Sequence, residues 1–394
     1  MKKLAAWIVR RKALILILFG VLTVFSLIAT PLVPINYNLA EYVPESAPST
    51  IAMQVMEQEF RDAIPNARVY IPNLSLQEAL QAKEKLEKIP DVTQVLWLDD
   101  FYDVRTPLEM ADPDLVAGYF ADGNALYQVV TDIDNTVETK LALQEVAGEE
   151  GAVEGQLIDL ANAQLAVSSE ITMVMLFMVP LGVGILLLAT ESWLSPLLLL
   201  LSMGIAILLN LGTNIFKSEV SFLTQAVTAV LQLAVSMDYG IFLLHRYEEY
   251  RAADRAPVDA MREAIVKSAS PILASSMTTV FGFLALIFMQ FRIGPDLGIV
   301  LAKGVLFSLI CVIFLLPVLI LVFEKWVEKT RHRNFLPDFN PVAKAGAKLR
   351  LPILILVGLM IIPAFRAQQR NEFIYGNADY DRTSREYHDR NLIE

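Results

Sequence analysis

Residues 221–244 read SFLTQAVTAVLQLAVSMDYGIFLL, a stretch long enough to cross a lipid bilayer as a helix. It carries a single charged residue, Asp238, followed directly by Tyr239. An acidic side chain near the bilayer centre costs about 2.5–3.5 kcal/mol even on insertion-based scales. Carboxylates in such positions most often carry protons or ions, so the stretch predicts a membrane helix built around a functional aspartate.

The composition of the whole chain also indicates a membrane protein. Of its 394 residues, 55% are apolar, and the mean hydropathy of +0.48 is too high for an ordinary soluble domain. Seven apolar runs could span a bilayer, so the predicted fold class is a multi-pass α-helical membrane protein. The predicted spans are Ala13–Thr30, Ile171–Thr190, Trp193–Leu211, Ser221–Leu244, Pro271–Met289, Leu297–Phe323 and Leu351–Phe365.

Basic residues set the expected orientation. Lys2, Lys3 and the run Arg10–Lys12 precede the first span, which is longer than a signal-peptide core and lacks a clear cleavage site. An uncleaved first helix is therefore favoured over a signal peptide. Basic residues are densest at the span ends that share a side with the N-terminus, which predicts a cell-membrane protein with a cytoplasmic N-terminus.

A large acidic segment separates the first two spans. Residues 31–170 hold 25 acidic and 7 basic residues, which predicts a solvated extracytoplasmic domain and argues against nucleic-acid partners. The expected parts are the N-terminus with the first span (1–30), the extracytoplasmic domain (31–170), spans two to six (171–323), a cytoplasmic amphipathic linker (324–350), the seventh span (351–365) and the truncated start of a second extracytoplasmic domain (366–394).

The extracytoplasmic segment has the pattern of a mixed α/β domain. Strands are predicted at Ala67–Ile71 and Val92–Leu98, around a helix over Ser75–Ile89 with Ser75 and Glu78 in capping-box positions. The other predicted elements are helices over Pro48–Phe60, Gln156–Ser169 and from about Val137, and a strand over Ala125–Ile133. The acidic run Asp99–Asp103 is more typical of a solvated loop than of a cation site. No His or Cys is present in residues 31–170 to build a catalytic or metal site.

Part of the sequence pattern occurs twice. The first copy consists of basic residues, a span, the segment Tyr37–Tyr42 and a helix, in that order. The second copy has basic residues, a span, the segment Tyr375–Tyr380 and a predicted helix in the same order. An internal repeat of this size predicts that the chain is the first half of a larger pump or pairs with a separate second half.

Four stretches resemble one known family. Residues 236–249 (SMDYGIFLLHRYEE) resemble the fourth span of the MMPL branch of the resistance–nodulation–division (RND) transporters. Residues 275–283 (SSMTTVFGF) resemble its fifth span, Asp296–Pro317 its sixth, and Tyr42–Thr50 the entry to its outer porter domain. The layout of one span, an outer domain and five spans agrees with this resemblance over about residues 1–376.

The resemblance implies a fold and a function. The expected fold is a six-helix RND bundle plus a seventh span, with a porter-like domain inserted between spans one and two. The expected function is export of lipids or other hydrophobic or amphiphilic compounds, driven by the proton-motive force, with no enzyme activity and no cofactor. Asp238 and Tyr239 match the family's proton-relay pair. Its tenth-span counterpart lies outside this chain, so a second RND half and membrane lipids are the expected partners.

The physical reading of the site agrees with a relay but leaves several roles open. Burial would disfavour the charged form of Asp238 and so let it load and release a proton, while Tyr239 offers a phenolic donor. The candidate supporting hydroxyls are Ser275, Ser276, Thr278 and Thr279, for which plain helix packing is an equal alternative. Lys303, inside the sixth span, could extend outward to water or pair with a carboxylate of the bundle.

Two other function classes remain open at this point. A SecD/SecF-like auxiliary subunit of protein translocation shares the one-plus-five layout, although the seventh span and the Asp-Tyr pair argue against it. A non-transporting, lipid-sensing membrane scaffold would use the same bundle without proton flux. An intramembrane aspartyl protease is disfavoured because Asp296 lies at the edge of its span. No phosphate-binding loop is present to use ATP, and the lone Cys311 provides neither a disulfide nor a thiolate metal site.

Overall fold

The computed structural model describes residues 1–59, 64–133, 135–332, 340–370 and 385–393. Sixteen α-helices lie in these ranges. They are α1 (Lys2–Arg10), α2 (Lys12–Ala29), α3 (Pro48–Glu59), α4 (Leu76–Leu86), α5 (Pro113–Tyr119), α6 (Thr136–Ala147), α7 (Gln156–Ala189), α8 (Leu194–Gly212), α9 (Phe222–Ala252), α10 (Pro257–Leu284), α11 (Ile293–Ile310), α12 (Leu316–Val322), α13 (Glu324–Lys329), α14 (Asn340–Lys348), α15 (Arg350–Gln368) and α16 (Arg385–Ile393). The strands are β1 (Ile35–Asn36), β2 (Ala67–Ile71), β3 (Val92–Leu96), β4 (Phe120–Ala121), β5 (Asn124–Thr131), β6 (Ala152–Glu154) and β7 (Val220–Ser221).

Seven helical stretches in the described residues are long and apolar enough to cross a membrane, and each overlaps one of the predicted spans. The fifth begins well before its predicted start at Pro271, since α10 begins at Pro257 and carries Pro271 in its interior. The added turns bury Met261 and Ile265 beside α1, which packs against α10 through the buried Ile8. The first turns of α10 are amphipathic, so their mean hydropathy is lower than that of the membrane-spanning part. Hydropathy alone therefore places the start of this helix too late.

Residues 67–154 form an α/β domain with an antiparallel sheet. The strand order is β3-β5-β2-β6, with Val69 opposite Tyr127 and Val95 opposite Val129, and β4 pairs with the end of β5. The predicted strand–helix–strand unit is present as β2–α4–β3, but β5 lies between its two strands. Together with α6 and β6 this gives a split β-α-β arrangement of the ferredoxin-like type.

The capping box predicted for the helix of this domain is confirmed. The backbone N–H of Glu78 donates to Ser75 Oγ at 3.3 Å, and the backbone N–H of Ser75 donates to Glu78 Oε2 at 2.8 Å. The Ser75 hydroxyl also donates to Glu78 Oε2 at 2.7 Å, and this bond, followed by the one from the Ser75 backbone N–H, holds the pKa of Glu78 below its usual value. The box fixes the first turn of α4, whose buried face packs on the sheet.

The acidic run after β3 is neutralised from within the domain. Lys83 is 7% exposed, and its ammonium lies 2.7 Å from Asp99 Oδ1 and 2.7 Å from Asp100 Oδ2. Burial would lower the pKa of Lys83, but the hydrogen bonds and charges of Asp100 and Asp99 outweigh burial and raise it. These two carboxylates therefore anchor α4, rather than standing as a solvated loop or a cation site.

Helix α9 carries a polar stripe into the centre of the bundle. Gln232 Nε2 donates to Gly304 O at 2.9 Å and to Ser308 Oγ at 3.1 Å, and Asn210 Nδ2 donates to Gln232 Oε1 at 2.9 Å. These contacts connect α8, α9 and α11 where none of the three side chains is more than 2% exposed. Within a bilayer, no hydrophobic effect drives helices together. Hydrogen bonds between buried amides and hydroxyls therefore help to hold membrane helices in contact. The stripe consists of the N-cap residue Ser221 and, on α9 itself, Thr224, Thr228, Gln232 and Ser236.

The sixth span is interrupted by a π-helical turn. Residues Cys311–Leu315 form it, between α11 and α12, and Pro317 follows in the first turn of α12. Proline has no backbone N–H to donate to the carbonyl of the preceding helical turn. The wider π-helical turn accommodates the missing hydrogen bond. Ser202 Oγ of α8 donates to the Cys311 carbonyl at 3.4 Å, so the neighbouring helix satisfies part of the altered turn.

One end of the bundle is closed by a short loop and α13. Ser192 forms a β-bridge with Arg331, and the Arg331 guanidinium lies 2.6 Å from Glu191 Oε2. The predicted amphipathic linker corresponds in part to α13, where Trp326 is exposed, while residues 333–339 lie outside the described ranges. We call this the distal end, and the end beside the α/β domain the domain end.

The last two helices behave differently from each other. Helix α15 buries none of its apolar window against the described part of the chain. Helix α16 instead packs on β6, where Asp389, 2% exposed, accepts from the Val153 N–H at 3.2 Å and Arg385 donates to Gly148 O at 2.9 Å. The predicted repeat segment Tyr375–Tyr380 lies outside the described residues, so the repeat remains a prediction.

Candidate functional site

Asp238 lies in an open cavity between α9 and α10. The cavity has a volume of about 320 Å³. Its lining residues recur at helical spacing on each of the two helices, so each helix contributes one face. They are Val235, Asp238, Tyr239, Phe242, Pro271, Ile272, Ser275 and Thr279.

The Asp238 side chain is exposed, which corrects the expectation that its own bundle would bury it. The physical reason is the rotation of α9. Gln232 precedes Asp238 by six residues, about 240° around a helix, so the inward position of Gln232 turns Asp238 outward. The carboxylate therefore faces away from the core of this six-helix bundle.

Tyr239 connects the carboxylate face to the fifth span. The Tyr239 side chain is 6% exposed, and its hydroxyl lies 3.4 Å from Thr279 Oγ1. Either hydroxyl can be the donor in this contact. Next to Tyr239, Gly240 brings α9 close to α8, since a Cβ there would lie 2.8 Å from Leu199 Cδ1. Close packing thus fixes the rotation that presents Asp238 and Tyr239.

Two of the four predicted hydroxyls reach this cavity. Ser275 is exposed and lines it, as does Thr279, whose Oγ1 also donates to Ser275 O at 3.2 Å. Ser276 is fully buried on the other side of α10 and donates to Leu273 O at 3.1 Å. Thr278 donates to Ala274 O at 3.0 Å and does not line the cavity. For Ser276 and Thr278 the structure favours the packing alternative.

Lys303 lies apart from this cavity, at the domain end of the bundle. Its ammonium donates to Asn210 O at 3.0 Å and to Asn214 Oδ1 at 2.6 Å, and neither oxygen belongs to a carboxylate. The Asn210 carbonyl is in the last turn of α8, where a cation is stabilised by the helix dipole. Lys303 thus follows neither expected alternative, because it binds the end of a neighbouring helix.

Sequence reasoning did not identify Phe242, Pro271 or Ile272 as lining residues. Helical spacing could have found them, since Phe242 follows Asp238 by one turn and Pro271 precedes Ser275 by one turn. The described ranges contain no group of three or more His, Cys, Asp or Glu side chains placed to hold a metal ion.

Comparison with known proteins identifies the family of this chain. The sequence model of the MMPL family matches residues 41–339, a range that includes α9, α10 and the Asp238 cavity. The chain belongs to the MMPL family. As an MMPL protein it is a member of a transporter family, and its seven apolar helices agree with a multi-pass membrane protein.

Curated relatives of this MMPL chain include transport proteins. The siderophore exporter MmpL5 of Mycobacterium tuberculosis is 24% identical over 356 residues, covering 82% of this chain and 36% of the relative. The probable transport protein MmpL12 of the same organism is 21% identical over 326 residues, covering 73% and 27%. The putative membrane protein ActII-3 of Streptomyces coelicolor is 31% identical over 183 residues, covering 44% and 25%. The chain spans about a quarter to a third of the length of these relatives.

Proposed function

We propose that this chain forms part of an MMPL-type exporter of lipids or other hydrophobic or amphiphilic compounds, driven by the proton-motive force. Asp238 and Tyr239 act in the proton relay, with Ser275 and Thr279 as supporting hydroxyls. The α/β domain serves as the extracytoplasmic, porter-like domain, and the N-terminus is cytoplasmic in the cell membrane. The family and the exporter among its relatives support the general function.

One observation carries the proposal: a carboxylate on a membrane-spanning helix faces away from its own bundle. Facing lipid, Asp238 would be expensive to keep ionised. A protein surface that covers the cavity, or water within it, removes that cost. A second RND half that presents its own polar groups to α9 and α10 satisfies this requirement. Protonation then changes the charge at the junction of two bundles, and moving one charge across 100 mV is worth about 2.3 kcal/mol.

Tyr239 and Thr279 give the relay a connected set of hydroxyls. A proton that reaches Asp238 shares its cavity with the hydroxyls of Tyr239, Ser275 and Thr279, each of which can both accept and donate. The 3.4 Å contact between Tyr239 and Thr279 joins α9 to α10, so a change at Asp238 is coupled to the relative position of both helices. This is the local element through which protonation biases transport.

The test is transport in inverted membrane vesicles from cells that carry the gene at its own locus. We expect Asp238→Asn to abolish accumulation of the neutral lipophilic dye N-phenyl-1-naphthylamine that depends on the proton gradient. Asp238→Glu should keep part of the activity, because the carboxylate remains. Tyr239→Phe should reduce the rate at unchanged protein level.

Glu249→Gln provides the matched control, because it removes an exposed carboxylate from the same helix near the distal end. It should transport like the natural protein. Full transport by Asp238→Asn would reject the relay and favour the lipid-sensing scaffold. Equal loss in Glu249→Gln would mean that the assay reports general damage to α9.

A further inference from the structure

The carboxylates of Glu41 and Glu219 lie close together at the domain end of the bundle, where both accept hydrogen bonds from the Asn36 amide. Asn36 Nδ2 donates to Glu41 Oε2 at 2.6 Å and to Glu219 Oε2 at 3.1 Å. Asn38 Nδ2 adds a bond to Glu41 Oε1 at 3.2 Å. Parallel pairing of β1 with β7 fixes this arrangement, since Asn36 is opposite Ser221. Two like charges held at one amide favour a cation beside them.

Glu41 and Glu219 line an open cavity of about 480 Å³, which we call the domain-end cavity. The other charged groups on its wall are already paired, Lys217 with Asp296 and Arg292 with Glu45. Within the described ranges, neither Glu41 nor Glu219 forms an ion pair with a basic side chain. The cavity therefore has an excess of negative charge concentrated at this pair.

Tyr42 adds a polar group that its surroundings do not satisfy. The side chain is 6% exposed and lines the domain-end cavity. The Ser221 hydroxyl lies near it, yet the Tyr42 hydroxyl makes no hydrogen bond of normal geometry with the residues the structure describes. Burial, followed by the nearby charges of Glu219 and Asp296, raises the pKa of Tyr42, so the phenol stays neutral. A buried hydroxyl without a partner is a rare feature that calls for a ligand or water.

The carboxylate pair also borders a second cavity, beneath the α/β domain. This cavity, of about 280 Å³, is lined by Asn36, Glu41 and Glu219 together with Tyr37 and Leu160. The pair thus stands between a cavity at the end of the bundle and one at the base of the domain. The aromatic ring of Tyr37 offers a face to which a cation is attracted.

We propose that the domain-end cavity binds an organic cation whose protonated amine is held between Glu41 and Glu219. The ammonium N–H groups donate to the two carboxylates and to the Tyr42 hydroxyl oxygen. Charge selects the cation over neutral or anionic molecules of the same size, and apolar parts of the ligand lie along Val43 and Ile299. Transport of this ligand would rest on the function proposed above, but its binding needs no proton gradient, so the two proposals can fail separately.

The test measures binding to the full chain in a nonionic detergent by fluorescence polarisation. The probe is rhodamine 6G, a lipophilic organic cation. We expect the double variant Glu41→Gln/Glu219→Gln to weaken binding about tenfold, from the loss of two partly solvated ion pairs. Tyr42→Phe should weaken it about threefold, and binding to the natural chain should weaken as salt rises.

The matched control is Glu84→Gln/Glu87→Gln, which removes two exposed carboxylates from the α/β domain and should leave binding unchanged. Ser218→Lys is a second test that removes no existing bond. It places an ammonium in the domain-end cavity, so it should compete with the probe and weaken binding. Unchanged affinity in both the double variant and Ser218→Lys would overturn the proposal, as would equal weakening of a neutral dye.

Competition distinguishes the sources of the amine. Displacement of rhodamine 6G by free ethanolamine supports recognition of a soluble amine. Displacement only when the chain is placed in nanodiscs containing phosphatidylethanolamine supports a lipid headgroup. If neither amine displaces the probe, the site does not recognise an ammonium group and the proposal is wrong.

Discussion

Asp238 and Gln232 lie on the same helix, but Gln232 faces the core of the bundle and Asp238 faces away from it. Gln232 is 2% exposed and bonds to α8 and α11, whereas Asp238 is exposed in a cavity beside α10. A buried polar group that loses its partner costs about 1–3 kcal/mol, so Gln232 has little freedom to turn. The inward residue therefore holds the outward one in place, and stability and proposed relay are connected through one helix rotation.

Replacing Gln232 tests this connection. We expect Gln232→Leu to lower the free energy of unfolding by about 1–3 kcal/mol, because Asn210 Nδ2 and Ser308 Oγ lose their partner. Denaturant unfolding of the full chain in detergent measures the change. Gln225→Leu is the control on the same helix, since Gln225 Oε1 has no partner within the described part of the chain and should cost less. Equal costs would show that the network adds no stability.

The capping box gives a pH-dependent contribution at the scale of one residue. The pKa of Glu78 is lowered in the folded state from its usual 4.5, so its stabilising effect is present above that value. It is lost as pH falls through the lower, folded-state pKa. Thermal unfolding followed between pH 3 and pH 7 should therefore show a smaller acid loss in Glu78→Gln than in the natural chain. Ser75→Ala should cost about 1 kcal/mol at neutral pH. An acid loss of the same size in Glu78→Gln would contradict this role.

At the scale of elements, close helix contact organises the bundle as much as apolar burial. Gly304 of α11 lies against the amides of α8 and α9, and a Cβ there would be 2.5 Å from Asn210 Nδ2 and 2.8 Å from Gln232 Oε1. Small residues at membrane-helix contacts allow such approaches. The absence of a side chain at this position lets three helices share one polar network.

A methyl group at Gly304 should separate these helices. We expect Gly304→Ala to lower the unfolding temperature and to weaken dye transport, because the amides must move to admit the Cβ. Gly282→Ala is the matched control on α10, where a Cβ would meet nothing within 4 Å. It should be neutral or stabilising, because alanine favours helix. A neutral Gly304→Ala would show that the network tolerates the displacement.

At the scale of the whole molecule, one apolar face and one charged face are left uncovered by the residues that the structure describes. Helix α15 buries none of its apolar window, and the Asp238 cavity opens on the bundle surface. The chain also returns to the α/β domain through α16, which covers the edge strand β6. Covering a sheet edge prevents unwanted strand pairing. The molecule thus satisfies its sheet edge internally and leaves its membrane faces for lipid or protein.

Contact between α16 and β6 can be tested by hydrogen exchange. We expect Asp389→Ala to speed amide exchange at Val153, since the N–H loses its carboxylate acceptor and the edge opens. The rise should be at least about fivefold, corresponding to the loss of roughly 1 kcal/mol. Asn391→Ala, on an exposed position of the same helix, is the control. Unchanged exchange at Val153 in Asp389→Ala would show that α16 does not protect the sheet edge in solution.

Local sequence signals predicted the helices and strands. Long-range packing determined the strand order, the rotation of Asp238 and the partners of Lys303. Hydropathy located each span, and the pattern Ser75–Glu78 located a helix start, because both depend on neighbours in sequence. The order of the sheet strands could not be read this way, since β5 separates β2 from β3 only through tertiary pairing. The Asp-Tyr pair indicated the helix that carries the candidate site, but the outward rotation of Asp238 depends on Gln232 meeting α8 and α11. Lys303 was unpredictable for the same reason, because its oxygen partners come from α8 and the turn after it.

Helix α7 has a mechanical consequence. Its 34 residues run from the α/β domain through the membrane span, about 51 Å at 1.5 Å per residue, with Pro180 inside the span. It contacts α6 and β6 at one end and α8 and α9 at the other. If α7 moves as one body, a tilt of about 5° about its membrane end displaces its other end, at the α/β domain, by about 4 Å. Under the proposed function, a small rearrangement beside the carboxylate of α9 that tilts α7 would therefore produce a larger displacement at the α/β domain.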